Sequence, residues 1–263
     1  MRLSAPAELS VPRRLQLAGL AGYEPETVAC FLGLCDIAPP GPVWDVGANV
    51  GVYALLAAVA CERPVEAFEP TRVTARVARR WLRRAGSDAH VHRMALGDHD
   101  GTATLYLSTS SDSSNSTAAG FREASRTVSV PQRTLDGLAA ELGPPAVLKI
   151  DTETTEPQIL RGAEEVLRRH RPWILCEALP GRTEEELMSV MAPHGYTWHL
   201  VGPDTPFPAR ERIDGDPELY MWLFAPEAIP DLLWQRIGFW RERLDSCTPA
   251  AAKVARAAQR AAQ

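Results

Sequence analysis

Five acids, Asp45, Glu69, Asp98, Asp151 and Glu177, stand at or just beyond the ends of short apolar runs spread along the sequence. Where such runs are strands of one parallel sheet, their carboxyl ends open onto the crevice in which ligands bind. A crevice lined by carboxylates suits a ligand that is cationic or rich in hydroxyls, although any single strand-end acid can equally cap a helix. The densest signal is Asp45-Val46-Gly47-Ala48-Asn49-Val50-Gly51. Gly47 can take the backbone angles of a tight strand-to-helix turn, and Gly51 lets the following helix approach strand and ligand closely. The middle position, glycine in a dinucleotide fingerprint, is Asn49, whose side chain fills room that a pyrophosphate would need. Glu69 stands 18 residues beyond Gly51, at the end of the next apolar run, and can accept both hydroxyls of a ribose. Turn and glutamate together predict a nucleoside without phosphates.

S-adenosylmethionine is such a nucleoside, and its sulfonium and ammonium would be drawn to Asp45 and Asp151. The chemistry implied is methyl transfer. Direct displacement needs a nucleophile held in line with the S–methyl bond, so positioning supplies much of the rate. A hydroxyl acceptor also benefits from a proton acceptor within hydrogen-bond reach, for which Asp151 and Glu153 are the candidates. His90, His92, His99 and His194 are flanked by ordinary strand or turn residues and read as structural. No metal-ligand spacing on one element supports a divalent metal shared by Asp151 and Glu177.

These residues need a parallel sheet to bring them together, and the pattern provides one. From Val43 onward, β-branched runs alternate with helical stripes. Predicted strands are Val43–Val46, Val65–Phe68, His90–Ala95, Ala146–Ile150, Trp173–Cys176, Tyr196–Val201 and Leu219–Phe224, with Thr102–Leu107 a strand outside that series. The link between the last two has no room for a crossover helix, which predicts an antiparallel pair at one sheet edge. Predicted helix stripes are Val52/Leu55/Leu56/Val59, Val73/Val77/Trp81 and Ile159/Leu160/Ala163/Val166/Leu167, with Pro157 in the first turn of the last. Thr134 should cap the helix carrying Leu135 and Leu138, and Thr183 with Glu186 spells a capping box. Residues 108–120 are nearly all small and polar, either a surface loop or a cover for the crevice. Tyr23–Ile37 reads as a helix that folds over the crevice or serves a second copy of the chain.

Composition narrows the partners. The 263 residues are 45% hydrophobic and 23% charged, with mean hydropathy −0.17, the profile of a folded soluble chain. A net charge of −5 leaves no basic surface for nucleic acid. The longest apolar stretch, Val52–Cys61, is well short of the roughly 20 residues that cross a bilayer, and no export signal is read. Cys30, Cys35, Cys61, Cys176 and Cys247 are odd in number and scattered, as expected of reduced thiols in a cytoplasmic protein. The expected partner is a small-molecule acceptor.

Over roughly Val43–Pro226 the chain resembles the FkbM family of methyltransferases, within the class I S-adenosylmethionine-dependent superfamily. The resemblance is carried by Asp45-Val-Gly-Ala-Asn-Val-Gly51, Phe68-Glu69-Pro70, Ala95-Leu96-Gly97-Asp98, Leu148-Lys149-Ile150-Asp151-Thr152-Glu153, Glu156–Ala163 and Pro172-Trp-Ile-Leu-Cys-Glu177. It implies an α/β fold, a doubly wound, seven-stranded, mostly parallel sheet with an antiparallel edge strand. The domain spans 43–226, preceded by a helical segment (1–42) and followed by a helix and Ala-rich tail (227–263). By resemblance, Asp45, Gly47, Ala48, Asn49 and Gly51 hold the methionine end of the cofactor. Glu69 and Pro70 hold its ribose, Ala95 and Leu96 lie beside adenine, and Asp151 and Glu153 face the methyl group and acceptor. The family commonly has glycine after Asp-x-Glu; here Thr154 stands there, and a β-branched residue disfavours a left-handed backbone. The expected reaction is O-methylation of a small molecule. N-methylation uses the same site, Asn49 argues against a nicotinamide oxidoreductase, and Thr154 keeps a non-catalytic nucleoside-binding protein as an alternative.

Overall fold

Val43–Val46 (β1), Val147–Ile150 (β7) and Trp173–Glu177 (β8) are buried at every position, as strands covered on both faces must be. Our computed structural model describes residues 3–109, 111 and 115–253. The remaining strands of the main sheet are Val65–Phe68 (β2), His90–His92 (β3), Thr197–Leu200 (β9), Ala209–Arg210 (β10) and Met221–Ala225 (β11). They run in the order β10-β9-β11-β8-β7-β1-β2-β3. Pairing is parallel from β3 through β2, β1 and β7 to β8. β11 is antiparallel to both β8 and β9, and β10 is antiparallel to β9.

Alternate strand residues feed two cores. Val43, Ala67, Val147, Leu175 and Leu223 pack on one face with Pro25–Ile37 (α2), Val52–Ala60 (α3), Arg72–Arg84 (α4) and Asp231–Asp245 (α8). Trp44, Phe68, Leu148, Ile150, Ile174 and Phe224 pack on the other with Leu135–Leu142 (α5), Glu156–Arg161 (α6) and Glu184–Met191 (α7). The segment ahead of β1 is integral to this body: α2 is buried from Val28 to Cys35, and its Asp36 accepts from Arg236 Nε and Trp240 Nε1 of α8 at 2.6 and 2.7 Å. All five cysteines are free. Among the described residues no helix is long and apolar enough to cross a membrane.

Several expectations are corrected. The sheet has eight strands, because two-residue β10 is too short to show periodicity, and β11 lies inside the sheet with β9 and β10 beyond it. The predicted strand His90–Ala95 is divided: β3 ends at His92, and Ala95–Gly97 (β4) joins a second, three-stranded sheet with Gly101–Ser108 (β5) and Ala124–Thr134 (β6). β6 escapes a pattern reading because most of its residues are exposed and it contains Pro131. That proline falls where only β5 flanks β6, just before β4 joins at Gln132, so no pairing is lost on the β4 side. In α3 and α4 the predicted stripes drift. Val59 and Val73 are about half exposed, while Ala54 and Ala57, and Ala75, Ala78 and Leu82, face the sheet. Thr134 caps α5, its Oγ1 accepting from Gly137 N–H at 3.2 Å. Thr183 makes no capping box; the Glu184 carboxylate instead accepts the Gly181 and Arg182 N–H groups. Of the Ala-rich tail, 254–263 lie outside the described residues.

Candidate active site

The sheet order reverses at β1, between β2 and β7, and the loops leaving those strands enclose a crevice. The turn after β1 is bound to β2 by Gly47 and Ala48 N–H groups, both donating to the Phe68 carbonyl at 3.0 Å. Gly47 has φ +81°, and a Cβ there would lie 1.8 Å from the Asp151 carbonyl oxygen. Only glycine fits this crossing of two loops. Asn49 also takes a positive φ, 50°, and its Oδ1 accepts the Val50 N–H at 2.8 Å.

Two cavities meet at Gly47, Asn49, Asp151 and Glu153, which line both. The first has an apolar wall of Phe68, Met94, Ala95, Leu96 and Leu105, with Glu69, Pro70 and Thr71 opposite. Glu69 is buried, its Oε2 accepting Asn49 N–H at 2.8 Å and its Oε1 accepting Thr71 N–H at 2.7 Å. Burial raises its pKa, against those hydrogen bonds. The Thr71 and Thr74 hydroxyls bond the same carboxylate, which leaves Glu69 fixed with its oxygens at the cavity wall. The described end of the Ser-rich loop covers this cavity with Asn115, Ser116 and Thr117, and Ser116 Oγ donates to the Glu153 carbonyl at 2.6 Å. Ser110 and residues 112–114 lie outside the described residues.

The second cavity runs from the glycine turn to the N-terminal segment, where Ser10, Val11, Arg14, Tyr23 and Glu24 complete it. Lys149 lies beneath, almost fully buried, its Nζ 2.8 Å from Asp151 Oδ2 and 4.4 Å from the centre of the Tyr53 ring. Burial pulls the Lys149 pKa down, but Asp151, Asp45 and Glu24 outweigh it, so the ammonium persists. Glu153 is pushed up to about 7, first by burial and then by Asp151. Glu156 is likewise pushed up to about 7 by burial, although its Oε1 accepts both the N–H and hydroxyl of Thr152. Glu177 is raised well above the usual range by burial and its acidic neighbours, and its Oε2 has no hydrogen-bond partner. Neutral-range carboxyls beside a cavity are what proton transfer at physiological pH requires.

Of the expected ligand-binding residues, Gly47, Ala48, Asn49, Glu69, Pro70, Ala95, Leu96, Asp151 and Glu153 line the two cavities. Asp45 and Gly51 do not. Asp45 is fully buried under the turn, its Oδ2 accepting Ala54 N–H in the first turn of α3 at 3.0 Å, and burial pushes its pKa up to about 6. Gly51 packs on α4, where a Cβ would come within 2.9 Å of Ala78 Cβ. Asp98 stands at the surface with His99 and Arg161, while His90 and His92 pair with Glu66. None of the four singled-out histidines lines either cavity. Among the described residues no group of three or more His, Cys, Asp or Glu is placed to hold a metal. Arg14, Glu24 and Tyr53 were missed: nothing local marks them, and only the folded chain brings them to one cavity with Lys149 and Asp151. Lys149 and Glu156 fall in recognisable motifs, but only tertiary contact reveals their partners. Thr154 takes φ +83° after Glu153 at +60°, so the left-handed bend forms despite the β-branched side chain.

The family model described as the methyltransferase FkbM domain matches residues 45–207, more than half the chain. The chain belongs to the FkbM methyltransferase family. Among solved structures, the FkbM methyltransferase from Methylobacillus flagellatus KT aligns at 18% identity and TM-score 0.47, over 70% of this chain and 43% of its own. This FkbM-family chain therefore spans less than half of that protein's length. A precorrin-6y C5,15-methyltransferase from Geobacter metallireducens GS-15 aligns at 11% identity and TM-score 0.47, over 85% and 93% of the two chains. Magnesium protoporphyrin IX methyltransferase from Synechocystis PCC 6803, solved with bound SAM, aligns at 10% identity and TM-score 0.43, over 77% and 78%. No curated protein matches the sequence.

Proposed function

We propose that this FkbM-family enzyme O-methylates a hydroxyl of a small hydroxylated molecule, a sugar or specialised metabolite, in the cytoplasm. The observation that carries the reading is Glu153: it lines both cavities, its side-chain carboxyl takes no hydrogen bond from any described residue, and it has a proton affinity near neutrality. Bound S-adenosylmethionine supplies an electrophilic methyl group on a sulfonium. Asn49 and the Gly47 turn hold its amino-acid side, Glu69 accepts the ribose hydroxyls, and Ala95 and Leu96 cover adenine. Asp151, held by Lys149, orients the acceptor hydroxyl, and Glu153 takes its proton as the oxygen attacks. The acids also favour a hydroxyl over an amine, because a cluster of carboxylates would keep an amine protonated and remove the lone pair that must attack.

The test uses donor carrying a tritiated methyl group with matched panels of polyhydroxylated and amine compounds. Label should enter an ether methyl and fall by about 100-fold in Glu153→Gln. Turnover on amines alone, or Glu153→Gln at the parental rate, would remove the proposal.

A further inference from the structure

The segment ahead of the family-matched region contributes a charged pair to the crevice. Arg14 lies on Ser10–Ala18 (α1), its Nε donating to the Gly22 carbonyl at 3.2 Å and its guanidinium 5.4 Å from the Tyr23 ring centre. Glu24 stands at the entry to α2 with φ 47°, and Pro25 follows in the first turn. Its Oε2 accepts the Tyr53 hydroxyl at 2.8 Å. The two charges face each other at 3.7 Å, Arg14 Nη1 to Glu24 Oε1, too far for a mutual hydrogen bond. Both line the second cavity, whose other cation, Lys149, is already engaged by Asp151 and Tyr53. Arg14, 53% exposed and no closer than 3.7 Å to Glu24, is therefore the more open cation of that cavity to an incoming anion. Glu177 adds a buried carboxylate oxygen without a hydrogen-bond partner to the acidic side of the same cavity.

The cavities differ in what they can hold. The first combines an apolar wall with Glu69, matching an uncharged nucleoside, and the second offers the Arg14 guanidinium, with Lys149 beneath it, and several acids. An α-amino acid presents one carboxylate and one ammonium on the same carbon, and a guanidinium fork and a carboxylate are their respective partners. The shared residues Gly47, Asn49, Asp151 and Glu153 join the cavities into one continuous site.

We propose that Arg14 and Glu24 form the subsite for the amino-acid end of the methyl donor, Arg14 taking its carboxylate and Glu24 its ammonium, so that the N-terminal segment belongs to the cofactor site. This rests on S-adenosylmethionine being the donor. Because α2 is anchored on α8 through Asp36, the position of Glu24 is set before any ligand arrives.

Calorimetry on the full chain tests this with three adenosine thioethers. S-adenosylhomocysteine has the whole amino-acid end, its decarboxylated analogue keeps only the ammonium, and 5′-deoxy-5′-methylthioadenosine has neither. Arg14→Met should weaken S-adenosylhomocysteine by about tenfold or more and leave the other two within about twofold. Glu24→Gln should weaken the first two and spare methylthioadenosine, whose retained binding also reports an intact fold. Equal losses for all three ligands, or no loss for S-adenosylhomocysteine, would overturn the assignment. A parent protein that binds methylthioadenosine but not S-adenosylhomocysteine would overturn the donor itself, a result distinct from failure of the variants.

Discussion

In the turn after β1 the left-handed positions at either end are glycines, Gly47 and Gly51, whereas in the loop after β7 they are Glu153 and Thr154. The two loops touch, with Gly47 pressed against the Asp151 carbonyl. At Gly47 a side chain would collide with backbone, so space as well as torsion demands glycine. Along 151–156 the obstacle is torsional, of order 1–2 kcal/mol for each residue forced left-handed. Local bonds hold that loop: Ser116 to the Glu153 carbonyl, Thr155 to Thr152, and Glu156 to the Thr152 N–H and hydroxyl. The contrast teaches a division of labour. The glycine turn is shaped for close approach, while the strained loop brings acids together and raises their proton affinity.

The largest effect should come from adding a methyl to the first loop. Gly47→Ala should cost about 3 kcal/mol or more in urea denaturation, combining a backbone collision with a left-handed alanine; a cost below about 1 kcal/mol would show that the loops are not locked together.

Next comes the charge that the second loop concentrates. The proposed base Glu153 must be deprotonated to act, so the rate should rise with pH through about 7. Asp151→Asn removes a charge that holds the Glu153 proton on. The acid limb of the pH–rate profile should therefore move to lower pH, with kcat falling by about 100-fold as orientation is lost. A limb that stays in place would uncouple the two acids.

A smaller effect is expected on stability. Glu156 binds its proton more tightly folded than unfolded, where its value is near 4.5, so its contribution is complete below that range and lost as pH rises through about 7. Glu156→Gln should narrow the difference in urea midpoint between about pH 5 and about pH 8; an unchanged difference would place the titration elsewhere. The smallest effect is Thr154→Gly. Relief of the left-handed threonine, offset by the greater freedom of glycine in the unfolded chain, should raise stability by about 0.5–1 kcal/mol. A destabilised variant would mean that the threonine side chain holds the loop.

The turn Asp45–Gly51, the buried glutamate after β2 and the fully buried parallel strands were legible in the sequence because each is a local pattern: glycines at a bend, one acid after one strand, unbroken apolar runs. Strand β6 was not, because exposed residues and Pro131 hide it until β5 supplies its partner. Asp45 was legible as an important acid, and only the packed turn shows it buried and facing Ala54 N–H.

The alternation of strands and helices along the chain, the bend that needs glycine and the carboxylates at the strand ends thus follow from sequence alone, because backbone preference and burial pattern act over a few residues. Which carboxyls gain proton affinity, that Lys149 pairs with Asp151, and that Arg14 and Glu24 reach the crevice were decided by tertiary structure. Proton affinity and charge pairing depend on burial and on distances between groups far apart in the chain, and those exist only once the chain has folded.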